Sequence, residues 1–231
     1  MKVTVYGTRL SPFVEKVVRG LQLKRVGFDL VEPRSPTDLR KWNPQTGKMP
    51  VVDFDGEKIW DSTFILRRLD QLVPAPPLLS DDPVAAANQR QLEDWADESF
   101  LWYWMKYRRM LGADTPLPIK GEGPELPRTK PSSLVRRVGA WLRAGGTWER
   151  PITGLQRELG QRLDDLVNFL GARPFFYSER LWMADLGVYG MLFTMRRDSI
   201  PGSARLLADR PSLVAFMARV EEATDGAARS T

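Results

Sequence analysis

The sequence predicts an α/β domain followed by an all-α one. Three observations point there. Short strand and helix patterns alternate through the first seventy-odd residues, and three prolines then fall within Pro74-Ala75-Pro76-Pro77. Beyond them the patterns are long and helical, with no further strand signal. At 231 residues the chain has room for two small domains. The expected division is 1–73 for the α/β part, a proline-rich linker over 74–83, and 84–231 for the helical part.

Each element has a local reason. Val3–Tyr6 alternates as a strand does, and Gly7 follows it. A helix is predicted over 12–26, because Pro12 suits a first helical turn, where its missing N–H costs nothing. Gly27 is expected to end that helix, and 28–31 to form a strand parallel to the first. After an irregular segment, Asp55-Gly56 turns the strand over 49–54 into Glu57–Trp60, a strong hairpin signal. A helix over 61–72 follows, with Phe64, Ile65, Leu66, Leu69 and Leu72 as its apolar face. A βαβ unit followed by a ββα unit, sharing a mixed four-stranded sheet, describes a thioredoxin-like fold.

In the second half, helices are predicted over 84–110, 134–143, 152–170, Met183–Arg196 and 211–224. The first carries Trp95, Phe100, Trp102, Tyr103, Trp104 and Tyr107, apolar over most of its circumference, so it is expected to be buried against several neighbours. Five prolines and three glycines between Gly112 and Pro131 mark a long loop at about 112–131. The tail from Gly226 is expected to fray.

Composition narrows the chemistry. With no cysteine and no histidine, the chain has no thiol nucleophile, no thiolate or imidazole metal site and no histidine-based triad. Catalysis falls to hydroxyls, carboxylates, amines, guanidiniums and backbone dipoles, and no metal is expected. A net charge of +5 favours anionic small molecules or acidic surfaces. The charges are interspersed, so nucleic acid is not the expected partner. Neither an apolar leader nor a stretch of roughly 18 apolar residues is present, which points to a cytoplasmic protein without a membrane partner.

Four segments resemble the glutathione transferase superfamily. Ser11-Pro12-Phe13-Val14-Glu15-Lys16-Val17 resembles the start of the first helix in its serine-type classes, and is similar to the Cys-Pro-Phe of omega-class members with serine in place of cysteine. Asn43-Pro44-Gln45-Thr46-Gly47-Lys48-Met49-Pro50-Val51-Val52 resembles the Asn-Pro…Gly-Lys-Val-Pro-Val-Leu segment. Ile59-Trp60-Asp61-Ser62-Thr63-Phe64-Ile65 is similar to Leu-x-Glu/Asp-Ser-x-x-Ile, and Met183-Ala184-Asp185 to the core-helix Ser/Thr-x-Ala-Asp. The resemblance runs from about Val3 to Arg219, suggests a divergent, bacterial-like serine-type member, and implies the superfamily's helical C-terminal domain and a homodimer.

The resemblance also assigns roles. Ser11 is the expected catalytic group, its hydroxyl donating to the glutathione sulfur. Glutathione, as co-substrate, would lie along the backbone of Met49 before a cis Pro50, pairing as an added strand. Asp61 would take its α-amino group, and Ser62, at a helix N-terminus, its γ-glutamyl carboxylate. Lys48 is the first candidate for the glycyl carboxylate and Arg9 a second. Phe13, Trp102, Tyr103 and Tyr107 are where a pocket for a hydrophobic electrophile would form. With no cysteine, thiol–disulfide exchange through a mixed disulfide on the protein is excluded.

Plain structural readings stand beside these. Ser11 and Asp61-Ser62 are also ordinary helix caps, Met49-Pro50 belongs to the whole thioredoxin-like fold, and Asp185 reads as structural. The aromatic run is also core or dimer interface, and Trp182 stands where the core-helix motif has a capping hydroxyl. Two functions follow. One is an enzyme joining glutathione to a small hydrophobic electrophile or reducing an organic peroxide. The alternative is a non-catalytic scaffold or regulatory protein that keeps the fold and binds a protein partner.

Overall fold

The computed structural model describes residues 1–110 and 149–225. The expected loop at 112–131, the helix over 134–143 and the tail from 226 lie outside them. The first part runs β1 (Val3–Tyr6), α1 (Pro12–Leu23), β2 (Asp29–Val31), α2 (Pro36–Trp42), β3 (Val51–Phe54), β4 (Glu57–Trp60) and α3 (Ser62–Leu72). The second runs α4 (Pro83–Met110), α5 (Glu149–Leu170), α6 (Met183–Arg196), α7 (Ser203–Ala208) and α8 (Pro211–Asp225).

The sheet has the order β2-β1-β3-β4, with β1 parallel to β2 and antiparallel to β3. This is the thioredoxin-like mixed sheet. Asp55 (φ 52°) and Gly56 (φ 99°) both take left-handed geometry, which sets the two-residue β3–β4 turn and pairs Phe54 with Glu57. Val5, Val52, Val17, Leu21, Ile65, Leu66 and Leu69 are closed to solvent between the sheet and α1 and α3. Each such side chain contributes about 1.5–3 kcal/mol of burial.

Two sequence expectations are corrected here. The helix α1 ends three residues before its predicted limit, and Gly27 does not end it. Arg25 takes the left-handed conformation (φ 55°), and the amides of Arg25 and Val26 donate back to Gln22 and Leu21, a Schellman motif without glycine. The segment taken as irregular contains α2, whose start is closed by Asp38: its carboxylate accepts the amides of Arg34 and Ser35.

The prolines after α3 do not leave a loose tether. Lys24, buried at the C-cap of α1, donates to Asp70 and to the carbonyl of Val73. Asp70 also accepts the amide of Leu78, whose carbonyl in turn accepts the amide of Met183 at the head of α6. The segment is thus fastened to both halves.

Helix α6 is the axis of the helical half. Leu186, Val188, Tyr189, Leu192 and Met195 are fully enclosed, and it packs on α1, α4, α7 and α8. Its N-terminus lacks the hydroxyl cap, yet Asp185 compensates from N3, accepting the amides of Trp182 and Phe176 at 2.8 Å each. Helix α4 is less enclosed than its composition suggests: Phe100 and Tyr103 are buried, while Leu101, Trp102 and Met105 stand exposed.

Candidate functional site

The site begins where β1 hands over to α1. Gly7 is required by close approach, since a Cβ there would lie 2.6 Å from Cγ2 of Val14. The turn brings Thr8 against Met49, with the Thr8 amide 3.4 Å from its sulfur, and the Ser11 amide donates to the Thr8 carbonyl at 3.0 Å. Ser11 is the N-cap of α1 by backbone geometry (φ −82°, ψ 131°), but its side chain makes no capping bond. The hydroxyl is buried and has no protein partner. A buried hydroxyl without a partner is costly and rare. This one sits at the positive end of a twelve-residue helix.

Asp61 behaves differently. Its Oδ1 accepts the amides of Thr63 at 2.9 Å and Phe64 at 3.3 Å, so it does cap α3. It holds φ at 77°, a conformation that costs a non-glycine residue about 1–3 kcal/mol. Ser62, the first residue of α3, is buried. The Met49–Pro50 peptide is cis, and both residues are buried. Lys48 is exposed, on a turn fixed by buried Asn43, whose Nδ2 donates to Thr46 Oγ1 at 2.7 Å and to the Lys48 carbonyl at 3.2 Å. Arg9, the second candidate for the glycyl carboxylate, has Nε and Nη2 engaged by Glu15.

Behind Asp61 lies a group that the sequence reading missed. Lys16 on α1 is fully buried and donates to Glu93 Oε1 at 2.6 Å and Asp97 Oδ2 at 2.7 Å, both on α4. Thr63, two residues past Asp61, donates to Glu93 Oε1 at 2.7 Å, and the other Glu93 oxygen has no protein partner. One cation against two carboxylates leaves an excess negative charge beside Asp61. Burial opposes the charge on Lys16, but Asp97 and Glu93 outweigh it and hold the ammonium above its ordinary range. Burial pushes the Asp97 carboxyl up, with Lys16 opposing and Glu93 and Asp61 reinforcing. In sequence the acidic i, i+4 pair Glu93 and Asp97 stands far from Lys16, and nothing there ties the two together.

Helix α6 backs both features through two glycines. A Cβ on Gly187 would meet Glu93 Cγ at 3.5 Å, and one on Gly190 would lie 2.5 Å from the carbonyl oxygen of Pro12. The four residues expected around the electrophile do not all line one described cavity. Trp102 and Tyr103, edge-on at 4.8 Å, line a cavity of about 450 Å³ with Glu98, Glu158 and Arg162; Phe13 and Tyr107 do not line it. Burial, reinforced by Asp198, raises the Tyr107 hydroxyl. Among the described residues, no three acidic side chains are arranged to hold a metal.

The glutathione S-transferase N-terminal domain family matches residues 5–77. A probable glutathione S-transferase of Nicotiana tabacum is 32% identical over 188 residues, covering 80% of this chain and 67% of that protein. The chain belongs to the glutathione transferase superfamily. A second relative, a probable glutathione S-transferase of Solanum tuberosum, is 29% identical over 133 residues, 56% of this chain and 55% of that protein. The chain thus spans about half the length of the first curated relatives it matches. Among solved structures, the Tau class glutathione S-transferase of mango, Mangifera indica, superposes with a TM-score of 0.67 at 22% identity, covering 97% of this chain and 91% of that one. The β-etherase LigF of Sphingobium sp. strain SYK-6 superposes at 0.69 with 20% identity over the whole of both chains. These two likenesses are of fold.

Proposed function

We propose that the chain is a serine-type glutathione transferase that activates the glutathione thiol for attack on a small hydrophobic electrophile or an organic peroxide. The observation that carries this reading is the Ser11 hydroxyl, buried at the head of α1 and bonded to nothing in the protein. As a cap it would accept a backbone amide of the first turn; as a thiolate donor it needs to be free.

The magnitudes are adequate. A thiol of pKa about 8.5 is a few per cent ionised at neutral pH. Lowering it by two units takes roughly 2.7 kcal/mol. A hydrogen bond to a charged group supplies about 1.5–3 kcal/mol, and the helix dipole adds about 0.3–1 kcal/mol. Ser11 donates to the sulfur and holds it as thiolate; the thiolate then attacks the electrophile.

The rest of the peptide follows the same logic. The acid excess of Asp61, Glu93 and Asp97 suits an ammonium, the start of α3 at Ser62 suits the γ-glutamyl carboxylate, and the backbone of Met49 before Pro50 suits strand-like pairing. Lys48, exposed and without an ion pair among the described residues, is assigned to the glycyl carboxylate in this reading. Trp102 and Tyr103, which line one cavity, are assigned to the electrophile; Phe13 on α1 and Tyr107 one turn further along α4 are assigned to it as well, outside that cavity. In this reading residues 1–73 hold glutathione, 74–83 join, and 84–231 present the electrophile. The protein works in the cytoplasm; among the described residues no helix is long and apolar enough to cross a membrane.

A homodimer is proposed on the apolar side chains left exposed. Phe64 is 60% accessible and Trp102 51%, with Trp60, Leu101 and Met105 also exposed. The same side chains favour the second reading, a non-catalytic scaffold whose partner is another protein. Turnover of glutathione with an activated aryl halide separates the two. The enzyme reading expects saturable conjugation that falls about 10–100-fold in Ser11→Ala, the loss of one charge-assisted hydrogen bond. Absence of turnover, with equal glutathione binding in both proteins, would leave the scaffold.

A further inference from the structure

A cavity of about 380 Å³ lies in the helical half, between the connection from α5 to α6 and one face of α8. Small-molecule sites occupy about 300–1,000 Å³. Arg173, Pro174 and Glu179 line it from the connection, and Ser212, Ala215 and Arg219 from α8. The last three are spaced three and four apart, which sets them on a single stripe of that helix. None of the residues assigned to glutathione or the electrophile lines this cavity.

Both guanidiniums are fixed by backbone carbonyls. Arg173 donates from Nε to Leu170 at 3.2 Å and from Nη2 to Phe169, closing the last turn of α5, and lies 5.5 Å from the Phe169 ring centroid. Arg219 donates from Nε at 2.9 Å to the carbonyl of Pro174, the residue after Arg173. Capping alone would account for these bonds, yet a guanidinium carries five N–H groups. The rest of the donors on Arg173 and Arg219 have no acceptor among the described residues. Each cation is held at one edge and open at the other. Two of them on separate walls suit a tetrahedral head group, whereas a planar carboxylate is satisfied by a single fork.

The charges around the cavity do not cancel. Neither arginine makes an ion pair among the described residues, and the one carboxylate in the lining is Glu179, which is exposed. The acids on the neighbouring elements are engaged elsewhere or stand outside. Asp164 pairs with Arg210 at 2.8 Å, Asp165 with Arg162 at 3.3 Å and Glu221 with Arg196 at 2.7 Å. Asp185 is turned to the amides of Trp182 and Phe176, and Glu222 does not line the cavity. Arg180 is turned to the Trp182 ring and the Pro77 carbonyl. Two cations against one screened carboxylate leave the cavity positive.

We propose that this cavity is a second ligand site, which takes the doubly charged phosphate head of a small phosphate monoester between Arg173 and Arg219. Ser212 supplies a hydroxyl from the start of α8. Glu179 opposes the anion from the same cavity, so it weakens binding. The site is independent of the glutathione reading and stands or falls separately from it.

The test is a titration of inorganic phosphate into the full chain, followed by amide chemical shifts at constant ionic strength, with chloride and malonate as parallel arms. Saturable shifts are expected at 170–174 and 212–219, with a Kd on the order of 1 mM. Arg219→Gln should weaken binding about 5–20-fold, the loss of one charge-assisted contact. Glu179→Gln should tighten it about 2–5-fold, because the opposing charge is gone. If Arg219→Gln does not fold, Glu179→Gln decides alone, and an unchanged or weaker Kd there overturns the proposal. Shifts confined to other residues, or equal shifts with chloride, overturn it as well. Malonate binding more tightly than phosphate overturns the phosphate assignment.

Discussion

Two helices start beside the proposed cradle, and the residue at each start is used in opposite ways. At α3, Asp61 caps: one oxygen takes two backbone amides, and the backbone adopts a left-handed angle to allow it. At α1, Ser11 has the backbone angles of a cap but leaves its hydroxyl unused and buried. Both residue types are good caps in any sequence. The difference shows that a capping residue type does not establish a capping role; where the hydroxyl bonds does. A third start, that of α6, is closed by Asp185 three residues in, because Trp182 has no oxygen to offer.

The largest way to break this contrast is to remove what stands behind the α3 start. Lys16→Met would leave Glu93 and Asp97 buried without their cation, and should cost about 3–5 kcal/mol by chemical denaturation. A loss below about 1 kcal/mol would mean that the two carboxylates are not both charged. Gly190→Ala attacks the α1 start instead. Its methyl would fall 2.5 Å from the Pro12 carbonyl, so α1 and α6 must part. A loss of about 1–3 kcal/mol is expected, together with lower activity; full activity would show that the first turn tolerates displacement.

The α6 start responds to pH. Burial, opposed by the amides of Phe176 and Trp182, pushes the Asp185 carboxyl up to about 7. Its pKa is thus above the unfolded value, so its contribution is greatest in acid. It is lost as pH rises from about 4 through about 7. Thermal melts should show Tm falling over that window. In Asp185→Asn the slope should flatten, at a general cost of about 1–3 kcal/mol from the impaired pair of hydrogen bonds. A slope unchanged by the substitution would place the titration elsewhere.

The smallest effect discriminates best. Asp61→Ala should lose about 0.5–2 kcal/mol of stability, as a cap does. Ser11→Ala should change stability by less than about 0.5 kcal/mol, because its hydroxyl holds no bond to lose. Equal losses in melts of the two variants would remove the distinction.

The local chemistry of the fold was legible wherever it is set by neighbours in sequence. Asp55-Gly56 dictated the β3–β4 hairpin, and the apolar spacing of α6 gave both its ends. The capped start at Ser35-Pro36 escaped notice because a seven-residue helix offers too few turns for its periodicity to show. The end of α1 was misplaced because Arg25, not the nearby glycine, takes the left-handed turn. For the site, the motifs at Ser11, Met49-Pro50 and Asp61-Ser62 could be named from sequence. The Lys16–Glu93–Asp97 group could not, because its members meet only when α1 and α4 pack. Nor could sequence tell that α4 would leave Trp102 exposed while burying Tyr103.

The central claim is a glutathione cradle around Ser11, and calorimetric titration of glutathione into the wild type and the Asp61→Ala/Ser62→Ala double variant tests it most directly. The account predicts saturable binding at millimolar affinity or better in the wild type, lost in a double variant that still melts cooperatively. No heat from the wild type at high glutathione would contradict it.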